Sequence, residues 1–304
     1  VVITKLLSHE DWDIRVAAAR AIGFIEYQQA STVLIEMLEN QNDWRLVYVA
    51  AESLGRLGEI NSISALKRIS TKHWFPRVRV IANKSIHVIQ GTDIFEKIEV
   101  KNSYGWFNSY KKFDIEKICN PKDFKLAKVN TENKKYRNQA LSDVEIFKYK
   151  VPYYEDYKYI EETDDYIPIG KVMYEEKMGS VALRFGDKWL VGSDRGEWGG
   201  ALSVVNNEGE SDRLLRKNVQ DIFDMEIGPI ALTSLDHLIL HYADIYKIVK
   251  GKNGVTKAEK YMNLPWAPRE AWKLENGDIL INTSYDSLIF TKEGKLEMAV
   301  CDAN

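Results

Sequence analysis

The first third of the chain repeats itself every 32 residues. Ala18, Ala50 and Ala82 fall in step, as do Ile14, Leu46 and Val78, and likewise Ile22, Leu54 and Ile86. Gly23 and Gly55 close two of the three copies, and His87 stands at that place in the third. Trp12 and Trp44 open the first two copies, whereas Pro76 occupies the register in the third, with Trp74 just before it. Self-similarity at a spacing of this size restricts the chain to stacked supersecondary units, each of which buries its apolar face on its neighbour.

Within the second copy, Ser31 to Glu39 predicts one helix with Val33, Leu34, Met37 and Leu38 on an apolar stripe, followed by a polar turn at Asn40 to Asp43. A second helix runs to Leu57, with Leu46, Val49, Ala50, Ser53 and Leu54 at helical spacing. Small residues at 17, 18, 19, 50 and 51 let neighbouring helices approach closely. Gly23 and Gly55 are expected just past or near the ends of their helices, where glycine accepts a left-handed cap. The best copy reads Asp11-Trp12-Asp13-Ile14-Arg15-Val16-Ala17-Ala18-Ala19-Arg20-Ala21-Ile22-Gly23. It resembles the HEAT-like repeats of the phycobilisome-lyase type, in which an acidic turn precedes Val-Arg, two alanines and Leu-Gly. The resemblance implies an α-solenoid over roughly residues 1 to 92. It also implies a ladder in which an acidic turn residue pairs with a helix arginine between repeats. Val47 at the arginine position and Phe75 at the acidic position interrupt that pattern.

The chain of 304 residues, 45% hydrophobic and 29% charged, is long enough for sizeable cores and for two domains. Its net charge of -3 argues against a dedicated nucleic-acid binder. No apolar run is long enough to span a membrane. Cys119 and Cys301 are too few and too far apart for a disulfide framework or a metal site and read as incidental; a cytoplasmic setting is favoured. The sequence starts at Val1 inside a helical pattern, which leaves a removed leader or further repeats upstream both open.

Residues 66 to 92 carry Lys67, Arg68, Lys72, Arg77, Arg79 and Lys84 with no acidic residue before Glu96 other than Asp93. They form either a docking patch for an anionic partner or a solvated face at the end of a short solenoid. Trp12, Trp44 and Trp74 either pack the intra-repeat turns or line an edge suited to a partner protein. Beyond Gly91 the period stops. Tyr104 to Phe113 interleaves aromatics with lysines, and Glu155 to Asp165 is acidic and flanked by tyrosines. The first reads as a connector covering the solenoid or a stacking surface. The second reads as an edge strand and loop or a contact for a basic partner.

From about residue 181 the pattern alternates. Val181 to Phe185 leads through Gly186-Asp187 into Lys188 to Gly192, a strand-turn-strand signal. Units of about 40 residues run from here to Leu214, from Val219 to about Tyr261 and from Glu270 to Ala299, and look like blades of a β-propeller. Three blades are too few for an ordinary closed propeller, so either residues 145 to 178 supply a further divergent blade or the region is an open, propeller-like stack. The predicted fold is thus α+β and multidomain: a HEAT-like α-solenoid over 1–92, a mixed connector over 93–150 and a β-rich, propeller-like domain over 151–304.

Asp194 to Gly200 joins two strands and combines both charges, a tryptophan and three glycines. It either sets Arg195, Glu197 and Trp198 over a ligand or lets Trp198 plug the core beside a glycine bulge. Asp236, His237 and His241 invite a metal or general-base reading, with 237 and 241 on one face of a strand, but a third ligand is missing. Ser234, His237 and Asp244 assemble a triad only on paper. With neither half bringing a reactive centre, the sequence points to a non-enzymatic protein-binding role without cofactor or metal, in its most concrete form an immunity or adaptor protein. The contact candidates are Trp12, Trp44, Lys72, Arg77, Arg79, Arg195, Glu197, Trp198, Asp236 and His237. The alternatives are a carbohydrate-binding or carbohydrate-active protein, with Glu197, Asp194 and Asp236 as its carboxylates, and a lyase of the repeat's own kind.

Overall fold

The computed structural model describes residues 2–40, 43–95, 118–127, 148–160, 165–237, 240–251 and 254–301. The chain separates into two compact units, Val1–Asp114 and Ile115–Asn304. The aromatic stretch from Tyr104 to Phe113 and the side chains of the acidic tyrosine-rich stretch lie outside the described residues.

The first unit is built from α1 (Val2–Leu6), α2 (Trp12–Phe24), α3 (Ser31–Asn40), α4 (Trp44–Leu57), α5 (Ile63–Lys72) and α6 (Pro76–Ile89). They pair as three hairpins, α1 with α2, α3 with α4 and α5 with α6. The hairpins stack through α2 on α4 and α4 on α6, with α3 beside α5. The second helices of the first two hairpins start at acidic caps: Asp11 and Asp43 accept the backbone N–H groups of Asp13 at 2.8 Å and Arg45 at 2.9 Å. In the third copy Pro76 takes the first helical position in place of an acidic cap.

Gly23 and Gly55 sit inside α2 and α4, not at left-handed caps as expected from sequence; Gly58, with φ of 65°, is the residue that caps α4. The physical reason is close approach. A Cβ on Gly23 would lie 2.5 Å from the Ser53 hydroxyl, and one on Gly55 would lie 2.8 Å from Ser85. Ser53 and Ser85 are themselves 32 residues apart, so the repeat stacks glycine on serine at each step. The Ser53 hydroxyl also donates to the carbonyl oxygen of Ala19 at 2.8 Å, across the same interface. Leu46, Leu54, Leu66, Val78 and Ala82 fill the core with no exposed area.

The second unit contains three four-stranded antiparallel meanders. The first is β3 (Val181–Phe185), β4 (Lys188–Ser193), β5 (Ala201–Val205) and β6 (Ser211–Leu215). The second is β7 (Val219–Phe223), β8 (Ile230–His237), β9 (Leu240–Lys250) and β10 (Thr256–Asn263). The third is β11 (Pro268–Lys273), β12 (Ile279–Thr283), β13 (Ser287–Phe290) and β14 (Leu296–Met298). Ahead of them β1 (Lys148–Ile160) and β2 (Asp165–Met178) pair with each other as a long hairpin, and Lys150 of β1 bridges Glu210 just before β6. Residues 148–178 therefore do not form a fourth four-stranded unit. Neighbouring meanders pack through their first strands, β7 against β3 and β11 against β7. Leu190, Leu202, Val219, Ile222 and Ala231 join the first two meanders in one core.

Cys119 and Cys301 are disulfide-bonded, with Cα atoms 5.2 Å apart, which overturns the reading of them as incidental. The cause is a strap, residues 118–127, that lies along the third meander. Leu126 bridges Leu274, the Ala127 N–H donates to the Lys273 carbonyl at 2.9 Å, and the Cys119 N–H donates to Ser287 Oγ at 2.8 Å. Pairing a segment from the start of the unit with its last sheet brings together cysteines that are 182 residues apart.

Candidate functional site

The α2, α4 and α6 helices present one face on which equivalent residues of successive repeats line up. Arg45 Nη1 reaches Asp13 Oδ1 of the preceding repeat at 2.6 Å, while its Nη2 holds Asp43 at 2.8 Å. Burial works against the Arg45 charge, but the hydrogen bonds and charges of Asp43 and Asp13 outweigh it and raise the guanidinium pKa. A ladder between the first two repeats is thus present, carried by Arg45 and not by residue 47. A second row crosses the same face: Glu52 meets Arg20 at 3.9 Å and Arg56 at 2.9 Å. The Arg56 guanidinium in turn lies 4.5 Å from the Phe24 ring centroid and 4.8 Å from that of Phe95.

The cations of the third repeat divide by role. Lys67 and Lys72 are exposed. Arg68 pairs with Glu39, and Lys84 sits over the Phe95 ring. Arg79 Nη1 donates to the carbonyl oxygens of His73 at 2.7 Å and Trp74 at 3.1 Å, so its charge serves its own turn. Arg77 is half-buried. In the same turn Trp74 stacks on His73 and Phe75, and Trp44 meets Phe75 edge-on with centroids 4.9 Å apart. Trp12 is half-buried under the Arg15 guanidinium, 4.2 Å away. Burial lowers the His73 pKa to about 4, helped by the nearby Arg79 charge.

In the second unit, the loop between β4 and β5 holds Trp198 out in solvent, 83% exposed, and not in the core. The loop itself is fixed. The Gly196 N–H donates to Asp194 Oδ1 at 2.9 Å, Gln220 donates to Asp194 Oδ2 at 2.6 Å, and Asn218 Nδ2 donates to the Gly196 carbonyl at 2.7 Å. Arg195 Nε donates to the Gly199 carbonyl at 3.1 Å instead of pairing with its acidic neighbours. Gly199 has φ of 74°, and a Cβ on Gly200 would run into the Ser193 carbonyl. Glu197 lies in the single 3-10 turn, Gly196–Trp198, that carries Trp198.

Asp236 and His237 end β8, where Asp236 opposes His241 and His237 opposes Leu240. Residues 237 and 241 therefore stand on two different strands and not on one face of a single strand. Their side chains lie outside the described residues. Among the described residues no group of three or more His, Cys, Asp or Glu could hold a metal ion.

Sequence reasoning missed the cationic cluster around a buried charge of the β unit. Asp244, 1% exposed, is gripped by Lys217 at 2.7 Å, Lys260 at 3.2 Å and Asn263 Nδ2 at 2.6 Å. Burial works to lower the Lys217 pKa, but its hydrogen bond to Asp244 and the charges of Asp244 and Tyr246 raise it overall. Lys217 also lies 4.2 Å from the Tyr242 ring centroid. Only the alternation of β9 hinted at Asp244, since a lone acidic residue on an inward position of a strand requires cationic partners.

Comparison with known families bears on the helical unit. Residues 1–86 match the family model of HEAT repeats. The match ends within α6, the last helix among the described residues of the stack. No curated protein and no solved structure matches the chain. HEAT repeats are protein-interaction modules. Among the described residues no helix is long and apolar enough to cross a membrane.

Proposed function

We propose that the protein binds another protein through the α2/α4/α6 face of its HEAT repeats and the basic third repeat beside it. The observation that carries this reading is the pair of charge rows, Asp13–Arg45–Asp43 and Arg20–Glu52–Arg56, held in place across successive repeats. Charges already immobilised in this way cost little further entropy on association and select a complementary surface. Lys67, Lys72 and Arg77 supply the positive end, with Trp12 and Trp44 at the turns behind it. An immunity or adaptor protein that covers its partner's working surface is the concrete form of this reading. In the same reading the three meanders are a propeller-like array that holds the Trp198 loop as a second contact, and the repeats are of the phycobilisome-lyase type.

The test is charge reversal. With a partner isolated by affinity capture from the source organism, Lys67→Glu with Lys72→Glu weakens binding at least tenfold, and the loss shrinks in high salt. Affinity that is unchanged by both reversals and by salt removes the basic end from the interface. Arg79 is left alone because its removal damages the turn.

A second reading, glycan binding at the Trp198 loop, has one observation in its favour: an indole held out by a rigid loop stacks well on a sugar ring. Trp198→Ala abolishes retention on a glycan array under this reading and leaves it unchanged otherwise. The Cys119–Cys301 bond further favours an oxidising compartment over the cytoplasm.

A further inference from the structure

The two ends of the helical stack are chemically unlike. At each internal step, one helix presents an alanine and a glycine four residues apart, Ala19 with Gly23 or Ala51 with Gly55, and all four are buried against the next hairpin. At the α6 end those two positions are Asn83 and His87, both exposed, so the last described helix carries polar side chains there, which suit water better than an apolar edge.

The α1/α2 end has no such termination. The face of each second helix that receives the preceding hairpin carries positions 14, 17 and 21 and their equivalents. In the later copies these are buried: Leu46 and Val49 at 0%, Ser53 at 2%, and Val78, Ile81 and Ser85 at 0%, 7% and 0%. In the first copy Ile14 is 36% exposed and Ala17 is exposed, with Ala21 half-buried. Beside them Leu6 is 36% exposed, where its equivalent Leu38 is 3%. The receiving surface is therefore complete, apolar and small enough in its side chains for close helix approach, and it continues the interface already used twice in this unit.

We infer that the α1/α2 end is a docking face for a further helical hairpin of the same repeat, whose inner helix sets an Ala-x-x-x-Gly edge against Ala17 and Ala21. The repeat specifies the occupant. Glycine opposite residue 21 reproduces Gly23 on Ser53 and Gly55 on Ser85, and an apolar residue covers Ile14 as Leu46 and Val78 are covered. A second copy of this chain cannot supply that edge from its far end, where Asn83 and His87 stand. This surface is separate from the α2/α4/α6 face proposed above, and its test does not depend on that partner.

Duplicating residues 33–64 directly ahead of Val1 of the full chain keeps the 32-residue period and brings the duplicate's own Gly55 opposite Ala21. The helical unfolding midpoint is expected to rise by roughly 5 °C or more, and Ile14→Lys with Ala17→Lys is expected to cancel the rise. A duplicate that adds helical signal without raising the midpoint overturns the inference. The second variant works in trans and keeps the inference testable if the extended chain does not fold. Asn83→Ala with His87→Gly gives the α6 end the missing edge, so this chain self-associates head to tail in sedimentation while the unmodified chain stays monomeric, and Ile14→Lys dissolves the assembly. A monomeric Asn83→Ala, His87→Gly chain contradicts the inference. So does an unmodified chain that self-associates through Ile14, because a second copy then occupies the face.

Discussion

The helical unit and the β unit are held together at opposite ranges of sequence. In the helical unit each stabilising contact repeats one step along the chain: Gly23 on Ser53, Gly55 on Ser85, Arg45 to Asp13. In the β unit the decisive long-range link is the Cys119–Cys301 bond, which closes 182 residues, while Asp244 ties the nearer segments around residues 217, 260 and 263. A stack built from neighbour contacts loses stability locally and in proportion to the interfaces lost. A unit closed by a few long-range links loses it all at once.

The largest expected effect breaks the long-range side of that contrast. Cys119→Ser or reduction removes a crosslink spanning 182 residues. By the chain-entropy account this lowers the stability of the β unit by roughly 5 kcal/mol. Denaturant unfolding followed by region-resolved hydrogen exchange should show the whole β unit weakened and residues 2–95 unchanged. Next is Asp244→Ala, which leaves Lys217 and Lys260 facing each other in a partly buried site and costs about 3 kcal/mol by the same measurement. Gly55→Val tests the other side. Its side chain meets Ser85 and Phe95, so the cost is about 2 kcal/mol, with protection lost between α4 and α6 and retained between α1 and α2.

His73 gives a smaller, pH-dependent effect. Its pKa is lowered in the fold, to about 4 from the ordinary 6.5, so the unfolded chain binds the proton first. Its contribution is therefore complete above about pH 6.5 and is lost as the pH falls toward 4, on the order of 1 kcal/mol after allowance for partial exposure. His73→Asn should flatten the pH dependence of the helical midpoint over that window, because Asn retains an acceptor for the Phe75 N–H. The smallest effect is that of Trp198→Ala. A side chain 83% exposed contributes under about 0.5 kcal/mol to folding, so any loss of binding by this variant reads directly as a contact.

The parts of the fold that repeat were legible. Period 32 located the helices, and alternation with Gly186-Asp187 and Asn276-Gly277 located strands of the meanders, because local pattern and tertiary burial agree there. The role of Gly23 and Gly55 was misjudged because the sequence shows a glycine but not the serine that approaches it from the next repeat. The disulfide was invisible for a related reason: Cys119 reaches Cys301 only because the strap pairs with Lys273 and Glu275, an arrangement with no local signature. Of the candidate site, the unusual loop at 194–200 was recognisable from its three glycines. That Trp198 points outward depended on Asn218 and Gln220, which stand just before and on β7 of the next meander. Arg79 likewise reads as a free cation until the carbonyls of His73 and Trp74 are placed beside it.

The central claim, that the α2/α4/α6 face is the working surface, is tested most directly by hydrogen exchange of the full chain with and without its captured partner. The account predicts slowed exchange in α4, Trp44–Leu57, and α6, Pro76–Ile89, on complex formation. Slowing confined to the β unit, with both helices exchanging as they do alone, would contradict it.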